Sequence, residues 1–237
     1  FTAVIVMALS SGHFNNARAQ ISIQNGATIT EDFSIGTTAT AATPANWKVD
    51  KNTTVRTVGT YSAAGSATER LGGDNLSSTA GNGIYNLAAG DQATASDRAI
   101  GGLSSGSASK SVNVYTYLQN NGPQSIKSFS ISYDVERYRN GTNAAGFAMQ
   151  LYYSTDGAAW TAAGDAFITS FAANADNTGF ASAPGETKSV TNKGLNVTVP
   201  AGGSIYFAWN YSVASGTTTS NSQALGLDNV SITANPG

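Results

Sequence analysis

The stretch SFSISYDVERYRNGTNAAGFAMQLYYSTDGAAW, residues 128–160, contains two segments in which apolar and polar residues alternate. The turn signal Asn140-Gly141 separates the two segments, and Asp156-Gly157 follows the second. A period of two residues is typical of half-buried β-strands, and Asn-Gly and Asp-Gly favour tight turns between antiparallel strands. The stretch therefore predicts antiparallel strands. Its two apolar rows are Phe129, Ile131, Tyr133 and Val135, and Phe147, Met149, Leu151 and Tyr153.

The same alternation recurs elsewhere in the chain. Beyond residue 20 no segment shows a long 3.6-residue period with caps, so we expect little helix. The Gly-, Ser- and Ala-rich region of residues 59–110 predicts long loops with short strands. We therefore predict an all-β fold, an antiparallel two-sheet β-sandwich of jelly-roll type, in a single domain of residues 20–237. Further alternating rows are Val112, Val114, Thr116 and Leu118; Leu195, Val197 and Val199; and Ile205, Phe207, Trp209 and Tyr211.

The composition limits the classes of function. Only 11% of the 237 residues are charged, against roughly 25% in an average globular protein. The 3 Trp, 10 Tyr and 9 Phe can build a core, so the chain is not of the disordered class. A net charge of −2 without a Lys-rich patch argues against a nucleic-acid partner. The absence of cysteine excludes disulfides, thiol nucleophiles and Cys-ligated metals.

The first 20 residues, FTAVIVMALSSGHFNNARAQ, differ from the remainder. The apolar run Phe1–Leu9 is shorter than the roughly 20 residues needed to span a bilayer, so we expect no membrane span. The run and the small-x-small sequence Ala17-Arg18-Ala19 predict that residues 1–19 are the tail of a secretory signal peptide. The alternative is a buried strand. The only histidine is His13, so cleavage would exclude a Ser-His-Asp triad and His-ligated zinc.

A pair of carboxylates lies in the opening stretch. Asp134 and Glu136 point to the same side of one strand, roughly 7 Å apart. Paired carboxylates can hydrolyse glycosidic bonds, and this spacing is near that of inverting enzymes. With Tyr138 in the same phase, the three side chains are also a candidate ligand-binding group.

The structural alternative for this segment is an ion network. Arg137 and Arg139 lie in the phase of the apolar row, and a charge that enters a core-facing row needs a partner or a position at the sheet rim. The segment Asp97-Arg98 is the expected partner. We predict that Asp97, Arg98, Arg137 and Arg139 close one end of the sandwich.

Exposed tyrosines are a second class of candidate. Several tyrosines fall opposite the apolar rows, and a cluster of them on one sheet face would form a binding surface for sugar rings, although single exposed tyrosines are ordinary. The segment YYSTDGAAW predicts a β-hairpin with Trp160 packed behind it. The candidate tyrosines are Tyr115, Tyr117, Tyr138, Tyr152 and Tyr206.

The residues resemble a known class of domain. The segments ITEDFSIGTTATAATPANWKVD, SDRAIGGLSSGSASK, DVERYRNGTNAAGFAMQLYYSTDGAAWT and ALGLDNVSIT look like a β-sandwich module of secreted and surface proteins of Bacteroidetes and some cyanobacteria. The closing LDNVSIT is similar to the last strand of carbohydrate-binding jelly rolls. The resemblance covers about residues 28–234. It implies a secreted, cell-surface β-sandwich that follows a signal peptide.

The resemblance also implies a structural calcium ion. Glu31 and Asp32 lie on the first core strand, and Asp228 and Asn229 lie on the last. In a jelly roll these strands are neighbours, and carboxylate and carbonyl oxygens are the ligands that Ca²⁺ takes. The other interpretation is a β-bulge at Asp228-Asn229, because the apolar phase changes there. The two interpretations are compatible.

Three functions follow from these patterns. The favoured one is an extracellular, non-catalytic module for glycan or surface binding and adhesion. The alternative is a structural subunit of a self-assembling extracellular filament or surface layer, whose apolar N-terminal segment is donated as a strand. The third is a carbohydrate-active hydrolase that uses Asp134 and Glu136. The expected partners are a glycan, a cell-surface polymer or copies of the protein itself, and the only expected cofactor is calcium.

Overall fold

The computed structural model describes residues 21–236. In this part of the chain the only helical segment is the 3-10 turn Asp165–Phe167, so the prediction of little helix is confirmed. The strands are β1 (Ile21–Ile23), β2 (Thr28–Glu31), β3 (Trp47–Asn52), β4 (Arg70–Gly72), β5 (Gly83–Ala88), β6 (Arg98–Leu103), β7 (Ser111–Asn120), β8 (Ser128–Arg139), β9 (Phe147–Ser154), β10 (Thr161–Ala162), β11 (Ile168–Phe171), β12 (Glu186–Leu195), β13 (Ser204–Val213) and β14 (Ala224–Asn235).

The strands form two sheets of seven strands each. In the first sheet, β13 lies between β7 and β9, β1 and β3 pair with the other edge of β7, and β10 and β11 pair with the other edge of β9. In the second sheet the order is β12-β8-β14-β6-β5-β4, and β2 pairs with β14. The predicted all-β, two-sheet fold is confirmed. The pairing is antiparallel except at β1–β7 and β4–β5, where two short parallel pairs make both sheets mixed.

Aromatic side chains of the predicted apolar rows fill the space between the two sheets. Trp209 of β13 is fully buried, stacks on Trp47 with ring centroids 5.7 Å apart, and meets the edge of Tyr133 of β8 at 5.8 Å. Phe129 meets Phe207 edge-on at 5.5 Å. Such pairs contribute about 0.5–1.5 kcal/mol each beyond the burial of their surface. They fix one sheet on the other and leave the two outer faces to carry function.

The predicted bulge near the end of the chain is present. The pairing of β14 with β8 shifts register between Asp228 and Ser231, and Asn229 adopts a φ of 49°. The shift allows Leu227 on one side of the bulge and Val230 on the other to face the same core. Asp228, next to Leu227, precedes the shift and points to the outer face of the second sheet by ordinary strand alternation.

The Gly-, Ser- and Ala-rich region of residues 59–110 contains β4, β5 and β6, joined by long loops, as predicted. The segment of residues 55–65, called here the strap, has no strand and crosses the outer face of the first sheet. Its Arg56 N–H donates to Ser212 Oγ at 3.0 Å. The strap therefore covers a sheet face that alternation alone would leave open to solvent.

Residues 1–19, interpreted above as a signal peptide or a buried strand, lie outside the described residues. Within residues 21–236 there is no helix with the length and apolar character needed to cross a membrane.

Candidate functional site

The outer face of the first sheet carries aromatic side chains in two adjacent rows. Tyr117 of β7 and Tyr206 of β13 are directly opposite each other in the antiparallel ladder. In the next row, Ala208 lies between Tyr115 and Tyr152. Because alternate residues of a strand point to opposite faces, all four tyrosines point away from the core between the sheets. The structure therefore brings together four of the five candidate tyrosines, and the fifth, Tyr138, lies on the second sheet.

Two of the predicted ligand-binding tyrosines are buried. Tyr115 is 0% exposed, because the strap lies over it and the Gly59 N–H donates to its hydroxyl at 2.8 Å. Tyr138 is also 0% exposed and belongs to the second sheet, where it packs with Leu87 and Ala224 under covering loops. The prediction that these two side chains contact ligand is therefore corrected. Outward strand phase does not ensure exposure when loops cross the sheet.

A third tyrosine completes an aromatic surface. The rings of Tyr117 and Tyr206 stack with centroids 4.7 Å apart and planes inclined by 19°. Tyr61 of the strap lies 6.0 Å from Tyr117 and 5.2 Å from Tyr206. All three side chains are partly exposed, and we call them the tyrosine cluster. Sequence reasoning missed Tyr61, because it lies in a segment without alternation.

Backbone contacts hold Tyr61 in place. Its hydroxyl donates to the Asn46 carbonyl at 2.9 Å, and its N–H donates to the Gly157 carbonyl at 2.8 Å. The Lys48 ammonium lies 4.6 Å from the centre of the Tyr61 ring. These contacts anchor the ring from the strap, from β3 and from the loop after β9, so its orientation is fixed before any ligand arrives.

The predicted hairpin after β9 supports the same surface. Gly157 has a φ of 72°, and a Cβ there would lie 3.2 Å from the Tyr206 ring. The Asp156 carboxylate accepts hydrogen bonds from the N–H groups of Ala159 and Ala158. These bonds favour the ionised form and lower the pKa of Asp156 to about 2. Trp160 donates from its ring N–H to the strap carbonyl of Gly59 at 2.7 Å. The tight turn thus places its backbone against the tyrosine cluster and fastens the strap.

A buried polar ladder lies beneath the strap. Asn210 donates to Asn113 at 2.6 Å, and Asn113 donates to Asp50 at 2.6 Å. Tyr115 donates to the other oxygen of Asp50 at 2.8 Å, while both Asn side chains also donate to the Thr57 carbonyl of the strap at 3.1 Å. Burial raises the pKa of Asp50, and the two donors partly oppose the rise. The ladder ties β3, β7, β13 and the strap into one unit.

The predicted carboxylate pair lies on the second sheet and does not form an open site. Glu136 is only 7% exposed, and the Tyr138 hydroxyl donates to its Oε2 at 2.5 Å. Asp134 is partly exposed and accepts from Ser189 Oγ at 2.5 Å and from Asn229 Nδ2 at 3.0 Å. Burial raises the pKa of Glu136. Asp134, Glu136 and Tyr138 do lie together, but two of the three are enclosed.

Asp228 belongs to the same carboxylate group. It is opposite Asp134 in the ladder and 1% exposed, and its Oδ1 has no hydrogen-bond partner among the described residues. Burial raises the pKa of Asp228 to about 8, and the negative charges of Glu136, Asp97 and Asp134 raise it further. The carboxyl is therefore mainly protonated at pH 7 and is a neutral buried acid.

The predicted ion network does not form. Arg137 pairs with Glu186 at 2.7 Å instead of with Asp97. Arg98 and Arg139 are buried, and their guanidinium groups donate to backbone carbonyls. The acceptors are Gln92 for Arg98, at 3.1 Å, and Ser222 and Ser78 for Arg139, at 2.6 and 2.7 Å. Gln92, Ser78 and Ser222 lie in loops, and the sequence does not show which loops pack against Arg98 and Arg139. These carbonyl acceptors could therefore not be predicted.

The four residues of the implied calcium site are divided between two places. As predicted, β2 lies beside β14, and Glu31, Asp32 and Asn229 line one surface depression. Asp228 is instead buried with the carboxylates of the second sheet. Among residues 21–236, no three Asp, Glu or His side chains are arranged to hold a metal ion. Calcium at the depression of Glu31 and Asp32 stays a prediction.

No family model and no curated protein matches the sequence. Among solved structures, the K1 cleaved adhesin domain of Lys-gingipain from Porphyromonas gingivalis W83 is 18% identical, with 89% of this chain and 100% of that chain covered and a TM-score of 0.46. The CBM22-1 xylan-binding domain of Paenibacillus barcinonensis Xyn10C is 9% identical, with 90% and 98% covered and a TM-score of 0.37. An Arthrobacter globiformis T6 isomalto-dextranase complexed with panose is 14% identical, with 90% and 33% covered and a TM-score of 0.37. Because all three TM-scores are below 0.5, these similarities identify no ligand or activity for this chain.

Proposed function

We propose that the protein is an extracellular, non-catalytic β-sandwich module that binds a glycan or another cell-surface polymer through the tyrosine cluster of Tyr61, Tyr117 and Tyr206. The observation that carries the proposal is the packing of three partly exposed rings side by side on one sheet face. A tyrosine presents an apolar ring and a polar hydroxyl, and pyranose rings present apolar C–H faces bordered by hydroxyls. The two surfaces are chemically complementary.

The preorganisation of the cluster supports this function. Binding loses affinity when side chains and loops must be ordered on contact. Here the Tyr61 N–H donates a hydrogen bond to the Gly157 carbonyl at 2.8 Å. The Trp160 ring N–H donates to the Gly59 carbonyl at 2.7 Å. The rings are therefore held in their positions by the fold, and a ligand need not order them.

The enclosure of the acidic group supports a role without catalysis. A glycosidase needs two carboxyl groups that reach opposite sides of a scissile bond. Of the candidate pair Asp134 and Glu136, Glu136 is only 7% exposed and is already hydrogen-bonded to Tyr138. The neighbouring Asp228 is 1% exposed. A polysaccharide therefore cannot bring its scissile bond between Asp134 and Glu136 without displacement of the loops that cover Glu136. Secretion is supported by the signal-like pattern of residues 1–19.

The test is a glycan array followed by titration of any hit. We expect Tyr117→Ala to weaken binding about tenfold or more. A few side chains, tyrosines often among them, carry most of the binding energy of an interface. Tyr117→Phe is the matched control and should keep most of the affinity, because it retains the ring. An array without hits, or equal affinity of wild type and Tyr117→Ala, would remove the proposed function.

A further inference from the structure

A small cleft lies on the outer face of the first sheet, next to the strap. Its volume is about 110 Å³. Its lining shares no residue with the tyrosine cluster, and Asn210 in that lining is four residues along β13 from Tyr206, roughly 13 Å at the usual strand rise. We call it the Arg56 cleft. Its main lining residues are Arg56, Gln150, Tyr152, Ile168, Asn210 and Ser212.

Arg56 is a cation held by two backbone carbonyls, and it has no carboxylate partner among residues 21–236. Its Nη1 donates to the Val213 carbonyl at 3.0 Å, and its Nη2 donates to the Gly216 carbonyl at 2.8 Å. No Asp or Glu of residues 21–236 lies within ion-pair distance of it. A guanidinium has more N–H donors than these two bonds use. The remaining donors are available to a ligand, and the two carbonyl bonds set their direction.

The rest of the lining combines apolar and polar surface. Tyr152 and Ile168 form apolar parts of the wall, and Ile168, at 41% exposure, is the one large apolar side chain that is exposed among the described residues. Gln150 donates through Nε2 to the Leu151 carbonyl at 2.8 Å. This bond leaves the Gln150 amide oxygen as an acceptor for a hydroxyl group. An anionic ring with hydroxyls would match all of these groups.

We propose that the Arg56 cleft receives a carboxylate-bearing sugar residue, a hexuronic acid, of the glycan that the protein binds. The planar guanidinium fork matches a carboxylate better than it matches a single hydroxyl. Tyr152 and Ile168 contact the apolar side of the ring, and Gln150 accepts from a ring hydroxyl. This inference rests on the proposed function and adds the class of ligand, an acidic polysaccharide.

The experiment compares two probes that differ in charge. A linear galacturonic acid trimer and its methyl ester are titrated calorimetrically into the wild type and into Arg56→Gln. We expect the acid to bind the wild type more tightly than the ester does. Arg56→Gln should weaken binding of the acid about tenfold or more, the effect of losing a charge-assisted hydrogen bond, and should leave binding of the ester unchanged.

Two further variants keep the test decisive. Arg56→Gln removes contacts of the strap, so it could fail to fold. Ile168→Asp changes an exposed side chain and places a negative charge in the same cleft, so it should fold and should also weaken binding of the acid selectively. Arg70→Gln, an exposed arginine on β4 of the second sheet, is the matched control and should bind like the wild type.

The outcomes separate this inference from the proposed function. Equal binding of acid and ester, or unchanged binding of the acid by Arg56→Gln and Ile168→Asp, overturns the Arg56 cleft as a uronate site. If neutral glycans bind in a Tyr117-dependent manner and uronates do not bind, only this inference fails. If no glycan of either kind binds, the proposed function fails with it.

Discussion

Tyr117 of β7 and Tyr206 of β13 stack face to face with ring centroids 4.7 Å apart, and the strap brings Tyr61 to within 5.2 Å of Tyr206. Two of these rings are placed by strand register, and the third is placed by a segment without regular structure. The aromatic surface therefore depends on the attachment of the strap as much as on the sheet. Perturbation of that attachment should alter binding even where no ligand contact is removed.

The first prediction concerns the bond between the strap and Tyr115. Tyr115→Phe removes a hydroxyl that donates to Asp50 Oδ2 at 2.8 Å and accepts from the Gly59 N–H at 2.8 Å. Leaving buried polar groups unpaired costs about 1–3 kcal/mol, so we expect a loss of that size in the free energy of unfolding. Hydrogen exchange at Gly59 should accelerate. The measurements are urea denaturation and amide exchange monitored by NMR.

Tyr117→Phe is the control for this prediction. Among the residues that the structure describes, the Tyr117 hydroxyl has one hydrogen-bond partner, Ser204 Oγ, at 3.3 Å and partly exposed to solvent. We expect a change below about 0.5 kcal/mol, as for surface substitutions in general. A Tyr115→Phe variant as stable as Tyr117→Phe, with unchanged exchange at Gly59, would show that the hydroxyl of Tyr115 does not hold the strap.

Sequence patterns predict the sheets of this fold better than its outer faces. Alternation assigns Phe129 and Phe207 to the core correctly, because burial between two sheets repeats at every second residue. The same rule places Tyr115 and Tyr138 outward, which is correct for the strand phase. It cannot show that loops cover them, because the loops have no period and their path depends on long-range hydrogen bonds. Tyr61 is missed for the same reason.

The second prediction concerns the turn glycine beneath the tyrosine cluster. Gly157 has a φ of 72°, and a Cβ there would press on the Tyr206 ring and on the Tyr61 Cβ, both at 3.2 Å. Gly157→Ala should lose about 1–2 kcal/mol through the left-handed backbone. It should also displace the two rings and weaken glycan binding. Near-ultraviolet circular dichroism reports the ring environment, and titration reports the affinity.

Gly202→Ala is the matched control for the turn. Gly202 has a φ of 73°, and a Cβ there would meet nothing within 4 Å. It should show a similar loss of stability without the spectral change and without loss of binding. If the two variants have the same spectra and the same affinity for the glycan, Gly157 does not support the tyrosine cluster.

The last prediction concerns the buried acid Asp228. Its pKa in the folded state is about 8, raised first by burial and then by neighbouring carboxylates, against about 3.9 in an unfolded chain. Between these values the folded state binds more protons than the unfolded state. The free energy of unfolding is therefore greatest at low pH in this window and falls as pH rises towards 8, by at most about 1.4 kcal/mol per pH unit.

Asp228→Asn should flatten this decline, and the raised pKa of Glu136 should leave a residual slope of the same sign. The measurement is the free energy of urea unfolding at pH 5, 7 and 9, with Asp165→Asn, a substitution of an exposed acid, as the matched control. Parallel curves for wild type and Asp228→Asn would mean that Asp228 is ionised at neutral pH despite its burial.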